Sequence, residues 1–196
     1  MCYGPDMTPD LFPNKTLEQI HWTSLYLGLP PGGIVAAFPS EGACEARLYQ
    51  MRWPDGPVCP NCFQTNVHFF GLREIRICRK CKKQFSLTSG TDLHGIHRGL
   101  QSYFALAEEI IQYRQRGALP TLRELQDNHG MAYATAIRLR KKLTDDLAKF
   151  HGGLLGRCIC IEFPNLPPDI VFGSESHLLH LEGEMQRRRW QALGIE

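Results

Sequence analysis

The chain has 196 residues and a mass of 22.3 kDa, room for one ordinary domain or two or three small ones. With 43% hydrophobic and 21% charged residues the composition is globular, which excludes a disordered chain. Twenty-two Lys+Arg against 20 Asp+Glu leave a formal +2, which as a bulk value argues against a wholly basic polyanion binder and against an acidic tail protein.

Residues 1–38 read as an N-terminal lead-in. Met1 to Pro13 carries Asp6, Asp10 and several Gly and Pro residues, and it lacks the basic segment and apolar core of a secretory leader. No apolar run anywhere approaches the roughly 18–20 residues that span a bilayer. The expectation is an intracellular protein, cytoplasmic and associated with the nucleoid, with no membrane partner. Thr16 to Leu27 predicts a short helix with Leu17, Ile20, Ser24 and Leu27 on one face, ended by the Gly28–Gly33 stretch and its Pro30-Pro31 pair.

Residues 39–92 predict a helix followed by a small β unit. Ser40 suits the N-cap of a helix to Arg52 that buries Ala43, Cys44, Leu48 and Met51. Trp53-Pro54-Asp55-Gly56 is a turn. Then come Cys59-Pro60-Asn61-Cys62, fifteen intervening residues, and Cys78-Arg79-Lys80-Cys81. A two-residue gap lets two thiolates of one tight turn reach the same metal at about 2.3 Å, and two such knuckles complete a tetrahedron. In a reducing compartment this spacing favours one structural Zn2+ over two disulfides or unrelated thiols. All four coordination places are filled by Cys59, Cys62, Cys78 and Cys81, which leaves none for water or substrate. Cys44 is expected in the core, and Cys2 lies near the terminus. The pairs His94/His97 and His177/His180 lack a further ligand at metal spacing and read as ordinary loop or helix histidines.

The charge is unevenly placed. Residues 70–150 hold 15 Lys+Arg and 8 Asp+Glu, and the rest of the chain holds 7 and 12. Arg73, Arg76, Arg79, Lys80, Lys82 and Lys83 are opposed within their stretch only by Glu74. Part of this charge offsets the −2 of a four-thiolate Zn2+ centre, and the remainder suits phosphate contacts or a solvated face.

Residues 93–150 predict three helices. Gly99 to Arg116 places Tyr103, Phe104, Ala107, Ile110, Ile111 and Arg114 at 3/4 spacing, with Glu108 and Glu109 outside. Thr121-Leu122-Arg123-Glu124 is a capping-box pattern opening a short helix to about Asn128. His129-Gly130-Met131 makes a turn, and a longer helix runs from Ala132 to Phe150 with Ala136, Leu139, Leu143 and Leu147 inward. Short helix, glycine-containing turn and longer basic helix form a helix-turn-helix pattern. Its last helix would offer Tyr133 and Thr135 to base edges, and Arg138, Lys141 and Lys142 to phosphates. A plain three-helix bundle with a basic face is the alternative. In residues 151–196, Cys158-Ile159-Cys160 predicts a degenerate strand, a Pro-rich linker follows, and Glu175 to Leu193 predicts a tail helix.

Phe38-Pro39-Ser40-Glu41, Cys44, Arg52-Trp53-Pro54-Asp55-Gly56, both knuckles, the run Gln84 to Thr91 and Tyr133-Ala134-Thr135-Ala136 resemble the N-terminal half of bacterial zinc-ribbon insertion-sequence transposases of the DDE type. The resemblance covers about residues 38–162. It implies that the ribbon and helix-turn-helix bind transposon-end DNA. In that family a downstream RNase H-like domain then cuts and joins strands, and its first catalytic strand ends in a Val-Asp-Glu type motif. Here the corresponding segment is Cys158-Ile159-Cys160-Ile161-Glu162-Phe163, with Ile161 at the aspartate position. Only 34 residues follow Glu162, fewer than an ordinary domain.

The fold expected is α+β and mostly helical, a β zinc ribbon followed by a trihelical domain and a tail helix. The function expected is non-catalytic, sequence-specific binding of double-stranded DNA, as a transcriptional regulator derived from a transposase. The alternatives are a protein-interaction adaptor of the transcription machinery and a transposase or nuclease subunit using Glu162. The lead-in and the tail around Arg187-Arg188-Arg189-Trp190 are candidate surfaces for a protein partner or a homodimer.

Overall fold

The computed structural model describes residues 12–71, 74–95 and 98–194. Among these are eight α-helices, packed mostly around one another, and a small three-stranded sheet beside the end of one of them. Helix α1 (Lys15–Gly28) opens where the Asn14 side chain accepts the Leu17 N–H at 2.8 Å. A single turn, α2 (Ile34–Ala37), leads to α3 (Glu41–Arg52), whose N-cap Ser40 accepts the Ala43 N–H as expected. Strands β1 (Val67–Phe70), β2 (Ile75–Cys78) and β3 (Gln84–Phe85) form an antiparallel meander. The helical region is α4 (Leu100–Gln115), α5 (Leu122–His129), α6 (Tyr133–Leu147), a short 3-10 turn (Phe150–Gly152), α7 (Gly153–Ile159) and α8 (Glu175–Ala192).

Helix α4 is the axis of the main core. Its Phe104, Ala107, Ile110 and Ile111 are fully buried against side chains from α1, α2, α3, α6 and α7. Trp22 and Leu25, Ile34, Leu48, Leu143 and Leu147, and Leu155 and Ile159 all belong to that one cluster. The lead-in helix is therefore core structure. Its opposite face packs on α8 through Ile20, Leu27 and Leu181, so α1 is buried on two sides. A one-face helical pattern does not reveal this, because a helix between two layers has no free stripe.

Two local expectations are corrected. The strand expected over Cys158-Ile159-Cys160 is instead the end of α7, with Cys158 and Ile159 helical and Cys160 its extended C-cap. All three residues are buried, so three alternating letters carried no facing information. Helix is favoured there by tertiary partners. The Asp146 carboxylate of α6 accepts the Leu155 N–H at 3.0 Å, and the Arg47 guanidinium of α3 donates to the carbonyls of Cys158, Arg157 and Cys160 at 3.0–3.3 Å. Glu108 and Glu109 do not lie outside either. Glu108 accepts the Ile34 N–H, and Glu109 meets His129 at 2.6 Å and Asn128 at 2.9 Å.

Candidate zinc centre and nucleic-acid interface

The sheet orders the cysteines. Registers Val67↔Cys78, Phe69↔Arg76 and Arg76↔Phe85 put these residues on the inner face, toward Trp53 and Tyr49 of the α3 end. Each knuckle turns through a residue with positive φ after its second cysteine, Phe63 at 56° and Lys82 at 61°. Backbone bonds close the turns: Phe63 N–H to the Cys59 carbonyl and Lys82 N–H to the Cys78 carbonyl, both 2.9 Å. The four sulfurs of Cys59, Cys62, Cys78 and Cys81 then lie within 4.8 Å of one another. Cys59–Cys81 and Cys62–Cys78 are 3.6 and 3.5 Å apart, close to the roughly 3.8 Å edge of a tetrahedron with 2.3 Å metal–sulfur bonds. Backbone N–H groups of Cys81 and Lys83 point at the Cys78 and Cys81 sulfurs and hold both thiols below their ordinary range, Cys81 down to about 6. A four-thiolate set fits one structural Zn2+ and leaves no open place. Among the described residues it is the single cluster with metal-ligating geometry.

The basic stretch divides once it is folded. Arg79, Lys80, Lys82 and Lys83 are exposed around the second knuckle. Arg76 is not a solvent-facing cation and is corrected as a candidate DNA contact. It is 9% exposed and its guanidinium lies 4.9 Å from the Trp53 and Phe69 ring centres and 5.4 Å from that of Tyr49. The same burial lowers its pKa. Arg52 works alongside it, bonding the carbonyls of Leu87 and Ser89 from a position 4.4 Å over Trp53, and burial lowers its pKa to about 10. These two arginines fasten the ribbon to α3, and alternation in Ile75-Arg76-Ile77 was the available sign that Arg76 faces inward. Arg73 lies outside the described residues.

Downstream, α5 and α6 are braced on α4. The capping box is complete, with Thr121 Oγ1 accepting the Glu124 N–H at 3.2 Å and Glu124 accepting the Thr121 N–H at 2.7 Å. Gly130 adopts φ 56°, ψ 49°, the left-handed helix stop that glycine favours. Arg98 donates to the carbonyls of His129 and Gly130, and Tyr113 Oη donates to Glu124 at 2.8 Å. Ala136, Leu139, Leu143 and Leu147 of α6 are buried as expected. The opposite stripe exposes Tyr133, Ala134, Ile137, Arg138 and Lys141. Thr135 and Lys142 sit at its flank, half-buried, and Lys142 Nζ donates to the His94 carbonyl at 3.1 Å. Ile137, 46% exposed, was missed by the sequence reading, although its place four residues after Tyr133 puts it on that stripe.

The remaining candidates are structural. Cys44, Cys158 and Cys160 are buried, which pushes their thiols up to about 11, 12 and 12. His177 is 5% exposed and accepts the Gly173 N–H at the start of α8, whereas His180 meets the Asn165 carbonyl. His94 is exposed, and His97 and Cys2 lie outside the described residues. No described helix is long and apolar enough to cross a membrane. The faces of α1 and α8 proposed for a partner are partly spent on each other.

Residues 39–84 match the family model of the transposase zinc-ribbon domain. The matched span begins at the lead into α3 and ends in β3, so it takes in all four cysteines. No curated protein and no solved structure matches the chain.

Proposed function

We propose that this chain is a sequence-specific binder of double-stranded DNA that cuts no strand itself, a transcriptional regulator derived from a transposase. The observation that carries the reading is the exposed stripe of α6. Tyr133, Ile137, Arg138 and Lys141 project from a helix whose other face is locked into the core. A helix of about 10–12 Å diameter fits a major groove about 12 Å wide. The first two turns of such a helix meet base edges, where Tyr133 and Ile137 supply apolar contact for thymine methyls and Arg138 supplies a guanine fork. Lys141 sits two turns on, at phosphate depth. Support also comes from the match to a transposase zinc ribbon and from the exposed cations of its second knuckle, which suit a nucleic-acid ligand.

Strand cleavage is left out of the proposal because Glu162, the acid nearest the family's catalytic position, stands exposed beyond the end of α7, and α7 is not a strand. Two-metal phosphoryl transfer needs carboxylates converging from fixed elements. The test is selection of duplexes from a random pool by the zinc-loaded protein. An enriched sequence is expected, and Arg138→Ala should weaken its binding by about 10- to 100-fold while relaxing one base position. No enrichment, or Mg2+-dependent nicking that is lost in Glu162→Ala, overturns the reading.

A further inference from the structure

On the inner face of the ribbon sheet Cys78, Arg76 and Phe85 are buried beside Trp53 and Tyr49, with Phe69 left exposed at the edge, whereas the outer face carries no buried residue among those described. The registers His68↔Ile77, Ile77↔Gln84 and Phe70↔Ile75 collect these side chains on one side. His68, Phe70 and Gln84 are exposed, Phe70 by 48%, and Ile75 and Ile77 are half-buried. His68 and Phe70 form an edge-to-face ring pair with centroids 4.6 Å apart. The ladder continues past β2, since the Arg79 N–H bonds the Asn66 carbonyl at 2.9 Å, and strand alternation extends the outer row as Ile75, Ile77, Arg79. Lys80 and Lys82 are exposed in the knuckle turn that follows Arg79, whereas Lys83, one residue before Gln84, alternates to the inner side. The rings and the cations are therefore set about three strand residues apart, about 10 Å.

An apolar surface with exposed rings and a cluster of cations beyond them is complementary to a polyanion that carries flat faces. Duplex DNA hides those faces inside its stack, whereas an unpaired strand displays them. We propose that the outer face of the ribbon sheet binds single-stranded DNA, with bases stacked on Phe70 and His68 and phosphates on Arg79, Lys80 and Lys82. The site is separate from the α6 stripe and rests on the nucleic-acid reading above only for its class of ligand. A protein carrying both surfaces holds a duplex on α6 and an adjoining opened strand on the ribbon.

The full zinc-loaded chain is titrated against a labelled 15-nucleotide oligothymidylate, the matching RNA, and the duplex selected for α6. Zinc content is checked in every variant. Phe70→Ala is expected to weaken single-strand binding about 10-fold, and His68→Ala to weaken it in the same direction. Both should leave duplex affinity within about twofold, and Phe70→Trp should restore single-strand binding. Arg138→Ala is expected to do the reverse, losing duplex but not single strand. The proposal is overturned by single-strand affinity unchanged in Phe70→Ala, by Phe70→Leu binding as well as wild type, or by RNA binding tighter than DNA. Failure of the α6 reading is seen independently, as absent duplex binding with single-strand binding intact.

Discussion

Glu41 lies at the start of α3, yet its carboxylate also serves another helix. It accepts the N–H of Leu100 and, at 3.1 Å, that of Gln101, the first-turn donors of α4. The N-cap of α4 is Gly99, which has no side chain to do this, and a Cβ there would come within 2.5 Å of Glu41 Oε2. Replacing Glu41 by Ala frees two donors and removes a negative charge from two helix N-termini. Cap removal costs about 0.5–2 kcal/mol, and the residue's exposure keeps the charged bonds below their buried value, so about 1.5 kcal/mol is expected. Glu41→Gln keeps an acceptor and should cost about 0.5 kcal/mol. For a chain of this size the Ala variant should melt about 3–6 °C lower. Urea unfolding of the zinc-loaded protein measures the difference, and amide exchange at Leu100 and Gln101 should quicken before the rest of α4. An Ala variant within about 0.3 kcal/mol of wild type, or a Gln variant as costly as Ala, refutes the reasoning.

Three further outcomes follow from the same structure. Chelation of zinc should melt the ribbon, whose buried cluster is only Trp53, Phe85 and two of the ligands, while helical circular dichroism persists because the α4-centred core is separate; simultaneous loss of both signals refutes this. If about five phosphates are neutralised on the duplex, log K should fall with log salt at a slope near about −4.5, and a flat titration refutes phosphate contact. Stability should also fall on acidification. Burial lowers the pKa of His21, bonded to the Leu147 carbonyl at 2.8 Å, and of His177 below the ordinary value of about 6.5. The unfolded chain then binds more protons, so their share of stability is complete above about pH 6.5 and is lost as pH falls toward the folded values. His177→Gln should flatten that slope in urea midpoints measured from pH 7 to 5.

Much of the candidate site was legible because its signals are local. Cysteine spacing implied the metal, since a knuckle is built within four residues. The Thr121–Glu124 box and Gly130 marked α5, and 3/4 spacing marked the buried face of α6. What misled were letters whose environment comes from elsewhere in the chain. Arg76 looked like one more cation in a basic run, but the α3 aromatics Tyr49 and Trp53 cover it. Glu108 and Glu109 looked solvated, but α2 and α5 supply their donors.

The zinc ligands, the helix periods and a basic centre between acidic ends follow from the order of residues alone, because spacing, capping and composition act over a few residues. Packing between distant segments made α1 core, turned Cys158 and Ile159 into the last turn of α7, and separated the covered cations from the exposed ones. Those outcomes depend on contacts between segments up to 135 residues apart, such as Cys160 to Leu25 and Arg47 to Cys158, and no local pattern encodes which partner arrives.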